Sequence, residues 1–212
     1  MSFDTVLIGA SCVAGITYSL MIGRPASPGR TLAKAAAVGA LAVLAYVRGA
    51  PTALVVALML STLGDAFLAG DPGTWLPAGL SAFLLAHGSY IWLFVQDGGG
   101  RAALAAEPLR AVGVISAFAA GLMMLAWLWR SLGAGLRGAV ALYALALSAM
   151  AATAFTLPKF LWPAMAGAVW FMTSDALLAG ELFKGLRSRL SGQAVWWLYY
   201  AAQGATTYAY LR

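Results

Sequence analysis

Charged residues are scarce in this sequence. Of its 212 residues, 9% are Asp, Glu, Lys or Arg and 62% are hydrophobic, whereas about 25% of a soluble domain is charged. This composition excludes an ordinary soluble protein and predicts an integral membrane protein surrounded by membrane lipids. The formal net charge of +6 does not point to nucleic acid, because the basic residues lie mostly in short loops, where they suit lipid headgroups.

Cysteine and histidine each occur once. A lone Cys12 excludes an intrachain disulfide and a cysteine metal cluster, and a lone His87 excludes a three-histidine zinc site. The serine-hydrolase motif GxSxG and the nucleotide-binding P-loop motif are absent from the sequence. We therefore expect no metal site and no cofactor.

Long apolar runs dominate what is present. Breaks in hydrophobicity divide the chain into segments of the length that crosses a bilayer core, about 20 residues each. These segments lie near 3–22, 31–48, 51–70, 74–96, 108–130, 136–156, 159–182 and 193–211. The predicted fold is all-α, a polytopic bundle of eight transmembrane helices that forms a single transmembrane domain over residues 1–212.

Loop charges and the chain start indicate membrane placement. No basic region precedes the first segment, and the segment has no A-x-A cleavage site. We therefore expect a retained spanning helix and not a signal peptide. The basic loop "KGLRSRLSG" at 184–192 predicts the cytoplasmic side. We expect a bacterial protein of this type in the inner (cytoplasmic) membrane.

One short sequence occurs twice. "DAFLAG" at 65–70 and "DALLAG" at 175–180 differ at one position and fall in the third and seventh predicted helices. A duplicated four-helix unit, a 4+4 parallel repeat about an axis along the membrane normal, explains this spacing. Chance recurrence of small and apolar residues in an alanine-rich chain is the alternative.

Ionisable residues inside the apolar segments are the candidate functional groups, because each is costly in hydrocarbon. They are Lys34, Asp65, His87, Asp175 and Glu181. Asp65 and Asp175 lie at similar depths, and two carboxylates that approach each other share a proton, which provides an acid beside a base. The structural alternatives are an Asp65 salt bridge to Lys34, a hydrogen bond through Ser61, and an interhelical bond near Ser174 and Asp175.

Two helical stripes combine aromatic and polar side chains. The first is Phe83, His87, Tyr90 and Phe94, and the second is Trp196, Tyr200, Gln203, Thr207 and Tyr210. Spacings of three and four place each set on one helix face, which predicts that both stripes line the bundle interior. Trp196 and Tyr210 are alternatively residues of the interfacial aromatic belt.

Five motifs in order resemble the YhhN family of multi-pass membrane proteins. They are "STLGD" at 61–65, "FLLAHGSYIWLF" at 83–94, "YALALSAM" at 143–150, "GAVWFMTSDALLA" at 167–179 and "YYAAQ" at 199–203. Together they span nearly the whole chain. "TLAK" at 31–34 also resembles the family's lysine at the start of the second helix.

The resemblance implies an enzyme, a membrane hydrolase that cleaves the vinyl ether bond of lysoplasmalogens or of a related lysophospholipid. Asp65, Asp175 and His87 would then be catalytic: the carboxylates supply a proton and stabilise an oxocarbenium ion, and His87 orients water. Substrate-binding roles fall to Lys34 near the phosphate and to Ser61, Tyr90, Tyr143, Ser174, Tyr200 and Gln203. The alternative function is a lipid or small-molecule transporter that uses the same buried groups as a proton-coupled pathway.

Overall fold

In the computed structural model, which describes residues 2–70 and 72–212, the described chain is all-helical and contains no strand. Its α-helices are α1 Phe3–Leu20, α2 Pro28–Val47, α3 Thr52–Ala69, α4 Pro72–Asp97, α5 Gly100–Ala106, α6 Pro108–Leu128, α7 Ala134–Ala154, α8 Trp162–Lys184 and α9 Arg189–Leu211. Short 3-10 turns cover Trp129–Ser131 and Lys159–Leu161. The all-α prediction is confirmed.

Each predicted segment contains a helix, with shifted ends. Helix α2 begins at Pro28, ahead of the predicted residue 31, because the Ser27 hydroxyl accepts a hydrogen bond from the Arg30 N–H at 3.3 Å and Pro28 suits the first helical turn. Helix α8 ends at Lys184, and Gly185, which follows it, adopts a left-handed φ of 68°. The short helix α5 lies in a stretch predicted to be a loop, since Ala, Leu and Arg are strong helix formers.

Within the part of the chain that the structure describes, six helices are long and apolar enough to cross a membrane: Phe3–Leu20, Pro28–Val47, Thr52–Ala69, Thr74–Asp97, Pro108–Ser131 and Ala134–Ala154. Their outward side chains include large apolar groups. On α6, for example, Ile115 and Leu122 expose 67% and 69% of their surface. Such a surface is unfavourable in water and suits contact with lipid chains.

The chain divides into two compact units, Met1–Tyr90 with Tyr210–Arg212, and Ile91–Ala209. In the first unit α2 packs against both α1 and α3, around the fully buried side chains of Leu54 and Leu58. Helices α3 and α4 approach closely at Gly64, where an added Cβ would lie 2.6 Å from the Phe83 ring. The prediction of a single transmembrane domain stays a prediction.

In the second unit α7 packs against α6 and α8. One cluster of the core consists of Leu128, Leu132 and Val140 at the α6–α7 connection. Helix α8 approaches α9 closely at Gly167, where an added Cβ would lie 2.6 Å from the Thr206 hydroxyl. Small residues at these positions allow the helix backbones to approach, as in membrane bundles.

Cations and tryptophans meet at one end of the second unit. The Arg137 guanidinium lies 5.2 Å from the Trp129 ring centroid, and the Lys184 ammonium lies 5.4 Å from that of Trp127. Tryptophan beside a basic residue is typical of the boundary between lipid chains and headgroups.

Candidate functional site

The first unit contains a buried ion pair between two helices. The Lys34 ammonium of α2 lies 3.1 Å from Oδ1 of Asp65 on α3, and the two side chains are 13% and 0% exposed. A carboxylate is tolerated at this depth because the cation compensates its charge. The salt bridge that the sequence offered as an alternative is therefore present, and the Lys34 ammonium, which we expected near a substrate phosphate, contacts Asp65.

Tyr18 and Arg30 complete this cluster. The Tyr18 ring centroid lies 5.6 Å from the Lys34 ammonium and 5.7 Å from the Arg30 guanidinium carbon. Arg30 is itself buried, at 8% exposure. The second predicted segment begins at residue 31, which places Arg30 in the loop before it. The available signal was its place one helical turn before Lys34, which puts both side chains on one face of α2.

The predicted stripe on α4 is buried. Phe83, His87 and Tyr90 expose 5%, 0% and 2% of their surfaces, and the Tyr90 phenol interacts with the side chain of Ser61 on α3. Since Phe83 abuts Gly64 and Tyr90 meets Ser61, His87 lies on α4 between these two contacts. His87 therefore faces the stretch of α3 that ends at Asp65.

The second carboxylate has a tyrosine partner. The Tyr143 hydroxyl of α7 donates a hydrogen bond of 2.6 Å to Oδ2 of Asp175 on α8. Asp175 is half-buried. A hydrogen bond to a charged acceptor is stronger than one between neutral groups, so this contact orients the carboxylate within the second unit.

A polar residue next to Asp175 joins α8 to α9, and part of the predicted α9 stripe is buried. The buried Ser174 hydroxyl donates a bond of 2.8 Å to the Val195 carbonyl at the start of α9. On α9, Trp196 and Gln203 are buried, and the Trp196 ring stacks on that of half-buried Tyr200 with centroids 5.6 Å apart. Burial of Trp196 contradicts its alternative reading as an interfacial belt residue.

The structure thus places half of the predicted site residues in each unit. Lys34, Ser61, Asp65, His87 and Tyr90 belong to the first, and Tyr143, Ser174, Asp175, Tyr200 and Gln203 belong to the second. Contacts between predicted residues include those of Lys34 with Asp65, Ser61 with Tyr90, and Tyr143 with Asp175. That Asp65 and Asp175 approach each other and share a proton stays a prediction.

A separate charge network lies outside the apolar spans. The Glu107 carboxylate, ahead of α6, pairs with two cations. Its Oε1 lies 3.2 Å from Nζ of Lys159, and its Oε2 lies 3.4 Å from Nε of Arg110. The hydrogen bond from Lys159, supported by that from Arg110, lowers the pKa of the Glu107 carboxyl. This network borders a hollow of about 450 Å³ between α5 and the connection 156–158. It stabilises the loops and provides no buried acid.

Comparison with known proteins identifies relatives over most of the chain. The model of the YhhN family matches residues 29–207. Two curated proteins named lysoplasmalogenase, from Mycobacterium bovis and Mycobacterium tuberculosis, are each 38% identical over 159 residues, which cover 71% of this chain and 57% of the relative. The matched part is therefore little more than half the length of these relatives. No solved structure matches the chain.

Proposed function

The chain belongs to the YhhN family, and from this premise we propose that it is a membrane-embedded hydrolase of lysoplasmalogens. The proposed reaction cleaves the vinyl ether bond and releases a fatty aldehyde and a glycerophospho-base. The observation that carries the proposal is the buried pair of Lys34 and Asp65, 3.1 Å apart. The names of the mycobacterial relatives support the substrate class.

Vinyl ether hydrolysis requires an acid that delivers a proton to carbon. Protonation of the carbon β to the ether oxygen produces an oxocarbenium ion, which an adjacent anion stabilises and water then attacks. A carboxylate that is ionised in an ion pair cannot donate a proton by itself. The Lys34 ammonium, however, holds a proton within hydrogen-bonding distance of Asp65, so the pair as a whole is an acid.

The proton steps of this pair balance over one cycle. The Lys34 proton passes to Asp65 and on to the alkenyl carbon, whose π electrons form the new C–H bond. The Asp65 carboxylate then faces the oxocarbenium ion, and water adds to that cation while the neutral Lys34 amine takes the released proton. The hemiacetal loses its glycerol oxygen as an alcohol, which takes the hydroxyl proton, and the aldehyde leaves. Lys34 and Asp65 end in their starting states.

His87 and Tyr90 are the proposed partners of the attacking water and the glycerol. His87 lies on the α4 face that meets α3 between Ser61 and Gly64, as the contacts of Tyr90 and Phe83 require. An imidazole there can accept a hydrogen bond from water and orient it. The Tyr90 phenol and Ser61 hydroxyl are suited to the glycerol oxygens.

Asp175 and Tyr143 form the second proposed polar site. Their 2.6 Å bond keeps a carboxylate oriented within the second unit, where Tyr200 and Gln203 of α9 are also partly or fully buried. We propose that this group binds polar atoms of the substrate. Asp175 remains a proposed catalytic carboxylate whose effect on turnover is measured separately from that of Asp65.

We further propose that eight helices cross the membrane, as a duplicated four-helix unit. Helices α8 and α9 each have 23 residues, and a helix of that length extends about 35 Å, enough to span a bilayer core. In a Cys12→Ser background, an impermeant thiol reagent should label Lys159→Cys and Ser188→Cys from opposite sides, because α8 separates them. Labelling from one side contradicts the eight-span arrangement.

The activity is tested with three lysolipids that differ only at the first chain: a vinyl ether, a saturated alkyl ether and an ester. Purified protein should release aldehyde from the vinyl ether and no fatty acid from the ester. The matched Lys34→Gln/Asp65→Asn double variant should release neither. Fatty acid release from the ester, or no aldehyde from the vinyl ether, overturns the proposal. Proton-coupled lipid uptake by vesicles that contain the reconstituted protein favours the alternative function, a transporter.

A further inference from the structure

Arg30 is a buried cation that the proposed proton transfer does not use. It lies in the first turn of α2 at 8% exposure. One of its terminal nitrogens donates to the Ala69 carbonyl at 3.1 Å, and the other lies 3.5 Å from the Tyr18 hydroxyl. Its Nε has no hydrogen-bond partner among the described residues. A guanidinium has five N–H donors in a planar fork, so most of this binding capacity is available.

The charge around Arg30 is positive. Arg30 and Lys34 lie one turn apart at the N-terminal end of α2, where the helix dipole disfavours cations. Among the described residues, Asp65 is the one carboxylate that contacts either cation, and it contacts Lys34. Asp71 lies outside the described residues. The cluster therefore holds two cations and one carboxylate, a balance that suits one further anion.

The spacing matches the glycerol backbone of a lysophospholipid. Four residues of helix separate Arg30 from Lys34 by about 6 Å along the axis. In the lipid, five covalent bonds of about 1.5 Å join the vinyl ether oxygen to phosphorus, which spans a similar distance when extended. A phosphate bound at Arg30 thus places the ether bond beside Lys34 and Asp65.

We propose that Arg30 binds the phosphate of the lysophospholipid and so selects phosphate-bearing substrates over neutral alkenylglycerols. This assignment rests on the proposed function for the identity of the lipid. The planar guanidinium can donate hydrogen bonds to two oxygens of a phosphodiester at once. The Tyr18 ring, which covers both cations, excludes water from this subsite.

The test measures binding and not hydrolysis. The probe is a saturated alkyl ether lysophospholipid, which lacks the reactive double bond, and the reference is the matching 1-O-alkylglycerol, which lacks phosphate. Both are titrated calorimetrically into the full-length protein in detergent micelles. Arg30→Gln should weaken binding of the probe about tenfold or more and of the reference less than about twofold, as expected for loss of a charge-assisted contact.

Two further variants make the result decisive. Arg48→Gln is the matched control, because Arg48 is exposed and pairs with Asp4 at 2.7 Å, and it should change neither affinity. Arg30→Lys retains the charge without the fork and should weaken only the probe, which keeps the test valid if Arg30→Gln does not fold. The proposal is overturned if Arg30→Gln weakens binding of the probe and the reference equally, or if Arg30→Lys leaves the probe affinity unchanged. Arg30 would then only cap the C-terminal end of α3 through the Ala69 carbonyl.

Inorganic phosphate is the third titrant. The lipid assignment predicts that wild-type protein binds the probe at least about tenfold more tightly than inorganic phosphate, since the chain adds apolar contact. Equal affinities indicate a site for free anions and overturn the lipid assignment. If the probe binds in an Arg30-dependent way but no aldehyde is released, only the proposed function is contradicted. If aldehyde is released but probe binding does not depend on Arg30, only this inference is contradicted.

Discussion

Lys34 and Asp65 form an ion pair of 3.1 Å between α2 and α3, with Asp65 fully buried. Each residue therefore compensates the buried charge of the other, so the pair affects the stability of the folded protein as well as the proposed chemistry. Substituting one partner leaves a buried charge without its counter-ion, whereas substituting both removes the charge problem.

Asp65→Asn should destabilise the protein by about 3–5 kcal/mol, because the Lys34 ammonium loses its carboxylate. The Lys34→Gln/Asp65→Asn double variant should recover most of that stability. Its turnover should nevertheless stay about 100-fold or more below the parent, since the transferable proton is absent. Unfolding in detergent followed by circular dichroism, together with aldehyde release, separates the two effects. A stable double variant with parental turnover shows that the pair is structural.

His87→Gln should reduce turnover by less than the loss of about 100-fold or more expected for the Lys34→Gln/Asp65→Asn double variant, because water is oriented less well but the acid remains. The parent enzyme should also turn over more slowly in D₂O, since the proposed slow step transfers a proton to carbon. Initial rates at matched pH and pD test both statements. Equal rates in the two solvents argue against rate-limiting proton transfer.

Tyr143→Phe and Asp175→Asn should each destabilise the second unit, because the first removes the donor of the 2.6 Å hydrogen bond and the second replaces its carboxylate acceptor with a neutral amide. A double-mutant cycle should give a coupling energy of about 0.5–3 kcal/mol. The turnover loss with Asp175→Asn should be smaller than that with Asp65→Asn if Asp175 only binds or stabilises charge. Additive stabilities would show that the contact contributes nothing measurable.

Gly64→Ala should destabilise the protein by about 1–3 kcal/mol, because its Cβ would overlap the buried Phe83 ring and force a shift. Gly9→Ala is the matched control. A Cβ at Gly9, also within a helix, meets no atom within 4 Å, so this change should be neutral or stabilising by up to about 1 kcal/mol. Comparing unfolding midpoints of the two variants tests the close approach of α3 and α4.

Glu107 should contribute stability above its unfolded pKa and lose it in acid. Its pKa is lowered in the folded protein, first by the Lys159 hydrogen bond and then by Arg110. The stabilisation is therefore present above about pH 4.5, the ordinary value of the group, and disappears as pH falls through the lower folded value. The free energy of unfolding of the wild-type protein should exceed that of Glu107→Gln by a small amount, because Glu107 is exposed. This difference should vanish in acid. An advantage that grows on acidification contradicts this.

The helices and the burial of several candidate residues follow from the sequence itself. Apolar runs of membrane-spanning length satisfy their backbone hydrogen bonds only as helices, which is why every predicted segment contains one. The burial of His87 and Tyr90 follows from their spacing along one helix face. Sequence analysis did not predict α5, because a run of only seven residues is too short to show a periodic pattern that distinguishes it from a loop.

The partners of the charged groups, by contrast, were decided by tertiary structure. Local pattern left Asp65 with Lys34, Ser61 or Asp175 as candidate partners, and the family resemblance placed Lys34 near a phosphate. Packing of α2 against α3 brought Lys34 and Asp65 together, and packing of α7 against α8 directed Tyr143 to Asp175. The physical reason is that such contacts depend on how neighbouring helices are rotated and offset along their axes. Those variables are set by close packing at residues such as Gly64 and Gly167, and no sequence spacing within one helix encodes them.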